Sequence, residues 1–535
     1  MILPERFAIM QVGFPILSLL LLLPLLAAAV IWFVRDHTRA YQVALGAAAA
    51  ELILAAYAAL IFVHDVPDMQ FVERGWTVPG LGIGYHLGVD GISVLFLPVT
   101  ALLTLLVILY AEYSAATHTR HYVMATLALE AMLIGAFVSL DLVMFWMFFV
   151  LELVPSYYLI TRWGTGAQRK RAAQEYIAFM ALGSAAMLAG FVTLAVSARG
   201  ATGALSFDLL DLLRFSAPPQ VQNVIFFLLF VGFAIKAPVF PFHTWMPKVL
   251  EQGPVVGMSV FLIGIKLGTY GFLRFVIPLL PEASREWVWV IMGLGAAGLV
   301  YGALIALIQT NLRRLLAFSS LAHMGSVMIG LFSLNFTGFQ GGLLQMVNLG
   351  IVGAGLFFVA GFLHSRVGSP DLSAMGGLLN RVPVLTAAFL VIALAGIGLP
   401  GTNGFNGEHL IMLGAFKAHW ILALATGLGV FLTAAYFLWY FQRAFLIPQP
   451  AIGGDGAGSG GSSSPATRSM PDLTPRELII SIALGGLVFW IGLDTGPFLR
   501  SMNGSLSALE SHVNRPAIVE TRGVTPAQPA TVETR

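Results

Sequence analysis

Cysteine is missing from all 535 residues. That excludes disulfides, thiolate metal sites, cysteine-ligated iron–sulfur clusters and cysteine nucleophiles together. Electron transfer, if coupled to this chain, takes place in another chain or on a cofactor held without thiolate. Charge is nearly as scarce. Asp, Glu, Lys and Arg make up 10% of the chain, against about 25% in soluble domains. The net charge is only +2, which gives nucleic-acid binding no electrostatic support. No GxxxxGK[ST] phosphate loop and no HExxH or similar ligand spacing occurs, so the sequence offers neither a nucleotide site nor a metal site of its own.

What is present is apolar: 58% of the residues are hydrophobic. No water-soluble fold hides that much apolar side chain, so the expectation is a protein embedded in the lipid bilayer. Windows long enough to cross about 30 Å of hydrocarbon recur near 14–34, 43–63, 91–112, 123–140, 142–161, 175–197, 222–243, 255–276, 287–308, 314–333, 342–363, 383–413, 419–442 and 477–496. These predict an all-α polytopic membrane protein of about fourteen transmembrane helices. They are continuous apolar runs, which argues against strands. No small-residue cleavage site follows a short apolar core at the N-terminus, so the first window reads as a retained helix. Residues 446–475 are rich in Gly, Ser and Pro and read as a flexible linker. The tail from 503 to 535 is polar and is expected to be disordered. Lys and Arg concentrate in alternate loops, among them Arg35 with Arg39, Arg120, Arg169 to Arg171, Arg313 with Arg314, and Arg366 with Arg381. These loops should face the cytoplasm, with both chain ends on the other side of a cell inner membrane.

Two windows are interrupted. The seventh breaks in "GFAIKAPVFPFHTWMP", and the twelfth in "GIGLPGTNGFNGEH". They lie five segments apart, and an odd period inverts a repeat in the membrane. The division expected is helices 1–3 over 1–122, a first inverted five-helix repeat over 123–276, a second over 277–445, and a last helix over 476–502. Broken helices at matching places in inverted repeats mark ion pathways, because unwound backbone survives in a membrane only where it lines protein or water.

A charge near the bilayer centre costs roughly 2.5–3.5 kcal/mol, so each one is a functional candidate. Lys236 stands at the first break, beside Pro238 and Pro241. A proline removes a backbone donor, water can enter there, and neighbouring charges then decide when the amine holds its proton. Lys266 in "GIKLGTYGFLRF" lies twelve residues past Pro254, close to mid-membrane. His323 in "RRLLAFSSLAHMG" titrates in a range that suits proton passage. Glu408 follows the glycine-rich break. Glu130, Asp141, Glu152 and Glu175 are further carboxylates able to modulate these groups; Glu130 and Asp141 would share a face only if one helix carried both. His243, His364 and His409 fall near interfaces and read as solvated.

The strings "FAIKAPVFPFHTWMP", "GIKLGTYGFLRF", "NLRRLLAFSSLAHMG" and "LPGTNGFNGE" resemble the antiporter-like membrane subunits of respiratory complex I, of the subunit M (chain 4) type and its cyanobacterial D-type relatives. The resemblance covers most of residues 90 to 445. It implies a fourteen-helix fold with two inverted five-helix repeats, and proton translocation through a hydrated polar axis built from Lys236, Lys266, His323 and Glu408. It also implies that NAD(H), FMN, iron–sulfur clusters and quinone belong to partner subunits, with other antiporter-like and small helical membrane subunits alongside and no cofactor in this chain. Three positions depart. The fifth-helix glutamate of the family falls at Val150, with Glu152 roughly 200° further round; the sixth-helix lysine is replaced by Glu175; and the eleventh-helix histidine is Leu349. Without an acid at 150, Lys236 would lose a stabilising charge unless Glu152 or Glu175 replaced it, and Asn348 with water would carry protons past Leu349. Rival readings are a D-type subunit of a complex for inorganic carbon uptake or CO2 hydration, a cation/proton antiporter subunit, and a non-pumping scaffold.

Overall fold

The computed structural model describes residues 13–78, 80–114, 119–448 and 470–515. Helices run α1 (Ile16–Phe33), α2 (His37–Ile61), α3 (Phe96–Ser114), α4 (Thr119–Val138), α5 (Leu142–Leu151), α6 (Leu153–Trp163), α7 (Arg169–Thr202), the single turn α8 (Leu209–Leu212), α9 (Pro219–Lys236) and α10 (Trp245–Gln252). They continue as α11 (Met258–Gly271), α12 (Ile277–Leu279), α13 (Pro281–Glu286), α14 (Val288–Leu307), α15 (Leu312–Phe332), α16 (Phe336–Val367), α17 (Pro383–Ile397), α18 (Asn403–Ala418), α19 (Trp420–Phe441), α20 (Pro475–Leu493) and α21 (Gly496–Val513). Among the described residues twelve helical stretches are long and apolar enough to cross a membrane. Two shorter apolar helices, Phe96–Ala111 and Pro383–Ile397, stand where the third and twelfth segments were expected. Twelve of the fourteen expected segments are thus long apolar spans, and a shorter apolar helix stands at each of the other two. The chain is a multi-pass membrane protein.

Burial sorts the helices. The α11–α12 span is buried throughout, and α15 and α16 almost so, whereas α2, α19 and α20 keep most of their span exposed. A helix apolar on every face suits either surrounding. What draws α11, α15 and α16 inward is their small and polar residues, which let backbones approach closely.

Three expectations need correction. First, the segment between α2 and α3 forms an antiparallel hairpin of β1 (Gln70–Val78) and β2 (Ile83–Val89). It lies outside the apolar windows, where alternation was not sought. Second, the tail does not begin at 503: α21 continues to Val513, and its buried Met502, Leu506, Leu509 and Val513 follow the 3–4 spacing of an amphipathic helix. Residues 516–535, and 449–469 of the expected linker, lie outside the described residues. Third, the fifth segment is two helices, α5 and α6, parted at Glu152. Pro155 supplies no amide hydrogen to the carbonyl four residues back, which loosens the ladder at that point.

Both expected interruptions are present. α9 ends at Lys236 and the chain turns through residues 237–244 before α10. Pro238 and Pro241 cannot donate, and the Ile235 carbonyl is satisfied instead by the Trp245 indole nitrogen, 2.9 Å away. α17 ends at Gly398 in the left-handed conformation (φ 80°), and α18 starts at Asn403. A π-helical stretch, Phe272–Val276, follows α11.

Candidate functional site

The first break carries an ion pair. Lys236 Nζ donates to Glu152 Oε2 at 2.5 Å, and both side chains are essentially inaccessible, 1% and 0% exposed. Glu152 sits at the α5/α6 junction in right-handed helical conformation, on the buried face it shares with Phe148, Phe149 and Ser156. The ammonium lies over the Phe149 ring at 5.2 Å and the Tyr176 ring at 5.9 Å, so apolar and aromatic surfaces surround the pair. Glu152 Oε1, the Ser156 hydroxyl and the Tyr176 hydroxyl are buried with no hydrogen-bond partner. Lys236 has therefore not lost its carboxylate. Glu152 is in direct contact with it, while Val150 is only partly buried.

The other carboxylates separate. Glu175 stands in the second turn of α7, paired with Lys248 at 2.5 Å and with Arg171 at 3.3 Å, and its side chain is 27% exposed. It is a rim residue; its neighbour Tyr176 is the one that turns toward Lys236. Asp141 is not beside the lysines either. It caps α5 by accepting from the amides of Val143 and Met144, and it accepts from Gly84 of β2 at 3.0 Å. Burial pushes the Asp141 carboxyl up, against the pull of these three amides. Glu130 is buried on α4 and, among the described residues, forms no ion pair with either lysine.

α11 separates two compartments. A Cβ at Gly264 would lie 2.7 Å from Glu152 Oε1, and one at Gly268 would lie 2.3 Å from the Ala237 amide nitrogen. These two glycines, one turn apart, let α11 press against the broken helix. Lys266 is two residues from each, roughly 200° round the helix, and so it faces the opposite way. It lines a small cavity together with Ser319, Ser320, His323 and Leu349. Among the described residues no carboxylate pairs with Lys266.

His323 also lines a second small cavity, together with Ser326, Glu408, Thr426 and Thr433. His323 Nδ1 is 3.3 Å from Glu408 Oε1, and the Glu408 side chain is 10% exposed. Gly398 makes room for that carboxylate, since a Cβ there would lie 2.4 Å from Glu408 Oε2. The second break thus shapes the site of its acid, as the first does for its lysine. Gln345 Nε2 donates to Glu408 Oε1 at 3.4 Å, and Asn348 Nδ2 donates to the Asn403 carbonyl at 2.7 Å. Asn348 therefore belongs to the Glu408 side and does not bridge past Leu349, which lines the first cavity without a polar atom. Ser319 and Tyr436 share a hydrogen bond of 2.7 Å on the same wall.

Several polar groups escaped the sequence reading. Arg274, in the π-helical stretch, forms a two-pronged ion pair with Asp90, with Nη1 2.7 Å from Oδ2. The wider turn of a π segment sets its side chain off the regular face of α11. Glu51 is wholly buried on α2, although it lay in plain view in an apolar window. His243, read as solvated, is buried against Phe240 and Tyr301. Among the described residues no cluster of three or more His, Asp or Glu could hold a metal ion.

Residues 139–433 match the family described as NADH:quinone oxidoreductase/Mrp antiporter, transmembrane. The NADH-quinone oxidoreductase subunit M of Rhodobacter capsulatus is 36% identical over 500 residues, covering 89% of this chain and 93% of the relative. The subunit M of Rickettsia bellii (strain RML369-C) is 35% identical over 443 residues, covering 81% and 88%. A chain in the structure of respiratory complex I from Thermus thermophilus with bound NADH superposes with a TM-score of 0.83 at 30% identity, over 93% of this chain and all of that one. With two broken helices, a buried lysine at the first and a histidine-bonded glutamate at the second, this chain belongs to the NADH:quinone oxidoreductase/Mrp antiporter family of membrane subunits.

Proposed function

We propose that this chain is a proton-translocating membrane subunit of a complex I-type NADH:quinone oxidoreductase, working beside other membrane subunits. In this reading NADH oxidation and quinone reduction, with the NAD(H), FMN and iron–sulfur clusters they need, take place in partner chains. The observation that carries the reading is the buried Glu152–Lys236 pair at the helix break. Two charges in an apolar surrounding stabilise one another only while they touch, and separating them leaves each uncompensated. A change in a partner chain that draws Glu152 away therefore favours release of the Lys236 proton.

That proton has an onward route. Lys266 occupies the next cavity and can accept a proton as a free amine. His323, between the two cavities, has two ring nitrogens and can take a proton on one while giving from the other. Glu408, hydrogen-bonded to His323 and Gln345, is the last acid in the line. Leu349 interrupts the lining at one point, and the cavity beside it has polar groups on Ser319 and Ser320 for water to bridge. The relatives named subunit M favour this reading over inorganic-carbon uptake or cation exchange.

Reconstitution of the assembled complex with Lys236→Ala tests it. Proton uptake per NADH oxidised should fall well below wild type. Uptake equal to wild type would end the proposal.

A further inference from the structure

A second buried acid pair lies outside the line from Lys236 to Glu408. Glu51 of α2 and Glu130 of α4 are both 0% exposed, their helices pack together, and the charge of Glu51 acts on Glu130. All four carboxyl oxygens lack a hydrogen-bond partner. The Thr104 hydroxyl of α3, also fully buried, lies beside the Glu130 carboxyl without completing a hydrogen bond of its own. Three helices thus direct polar atoms into one apolar place.

No cation answers them. Among the described residues neither carboxylate is in an ion pair. The helices packed on α2 are α1, α3 and α4. α1 carries no ionisable side chain, and the described side chains of α3 include only Tyr110. Arg39 on α2 and Arg120 on α4 are twelve and ten residues away, roughly 18 and 15 Å along their helices. His121 is nine residues from Glu130. α5, α6 and α11 also pack on α4; the only Lys or Arg among these are Lys266, which faces the far cavity, and Arg162, in the last turn of α6.

Two carboxylates buried without counter-ions on two packed helices, one feeling the charge of the other, cannot both stay ionised. The titration then belongs to the pair, with one proton shared between them. We propose that Glu51 and Glu130, with the Thr104 hydroxyl, form a second proton-holding site in the membrane, next to the Glu152–Lys236 pair. Its position makes it part of the pump. Leu133, one turn beyond Glu130 on the same face of α4, meets the Gly264 surface that also touches Glu152, with its Cδ2 3.4 Å from a Cβ built there. Toward the other end of α4, Tyr122, Thr126 and Glu130 recur every four residues and all are buried, a polar stripe leading from the arginine-bearing end of the helix to the acid pair. The site loads a proton from that end. Its charge then acts on Glu152 across the Leu133 and Gly264 surface.

This inference rests on the proton-translocation reading for its role, but the site can be tested apart from it. Infrared spectra of the purified complex in lipid should contain the carbonyl band of a protonated buried carboxylic acid at neutral pH. Glu51→Gln and Glu130→Gln should each remove or shift that band. Glu130→Gln should also lower proton uptake several-fold, while NADH oxidation in uncoupled vesicles stays near wild type. Should Glu130→Gln fail to assemble, Thr104→Val keeps both acids and should shift the same band. A spectrum unchanged in all three variants would overturn the proposal, as would full pumping by an assembled Glu130→Gln complex. A wild-type complex that shows the band but does not pump would refute the functional reading and leave the site standing.

Discussion

The two broken helices solve the same problem in different ways. At the first, a lysine and a glutamate touch at 2.5 Å within aromatic side chains. At the second, a glutamate meets a neutral-capable histidine at 3.3 Å, with a cavity on either side of the histidine. The first half is closed by charge, and the second is lined by groups that can pass a proton by hydrogen bonding. The difference teaches where control resides. In the proposed mechanism the buried ion pair of the first half serves as the switch and the second half as the conductor.

Breaking the switch should have the largest effect. Lys236→Ala leaves Glu152 buried without a counter-ion, a cost of about 3–5 kcal/mol. It should lower the amount of assembled complex as well as its proton uptake, both measurable on purified membranes. Breaking the conductor should cost less. Glu408→Gln removes a charge-assisted hydrogen bond of about 1.5–3 kcal/mol, so uptake should fall by roughly tenfold with assembly intact, as read by fluorescence quenching in vesicles. Sharpening the conductor is a smaller change still. Leu349→His puts a titratable ring on the wall of the cavity shared by Lys266 and His323, and uptake should rise or hold while NADH oxidation keeps pace. A fall in uptake would show that the wall there must stay apolar.

The smallest effect concerns the hairpin that packs over the first half. His86 of β2 lies 2.5 Å from Asp208, and Arg74 of β1 donates to His86 at 3.3 Å. Burial raises the Asp208 carboxyl, but the hydrogen bond and charge of His86, the Leu210 amide and Arg74 bring it below its ordinary value. A carboxyl lowered in the folded state contributes stability above its unfolded pKa, near 3.9, and loses it as pH falls through the lower folded value. Asp208→Asn should lower thermal stability at neutral pH and flatten the acid limb, so that the two curves converge at low pH.

How much of this was legible beforehand follows from what each feature depends on. The apolar spans and both breaks stood in the sequence, because length, hydrophobicity and proline are local. Lys236, Lys266, His323 and Glu408 were legible for the same reason: each is a polar residue where lipid tolerates few. Pairing was not. The contact of Glu152 with Lys236 depends on how separate helices pack against one another, whereas spacing counted from Pro155 pointed to Val150 instead. Glu175 was misplaced because a helix seven residues into its run still lies at the rim. Glu51 was hidden by its surroundings, as an apolar window with one acid still reads as a span. The hairpin and the continuation of α21 escaped because short alternation and an amphipathic helix carry weaker signals than a continuous apolar run.

The central claim is that Glu152, not a residue at position 150, governs the proton on Lys236. The most direct measurement is proton uptake per NADH oxidised in proteoliposomes of the Glu152→Gln complex. Continued oxidation with uptake well below wild type is the expected result, and a wild-type ratio in a fully assembled Glu152→Gln complex would contradict it.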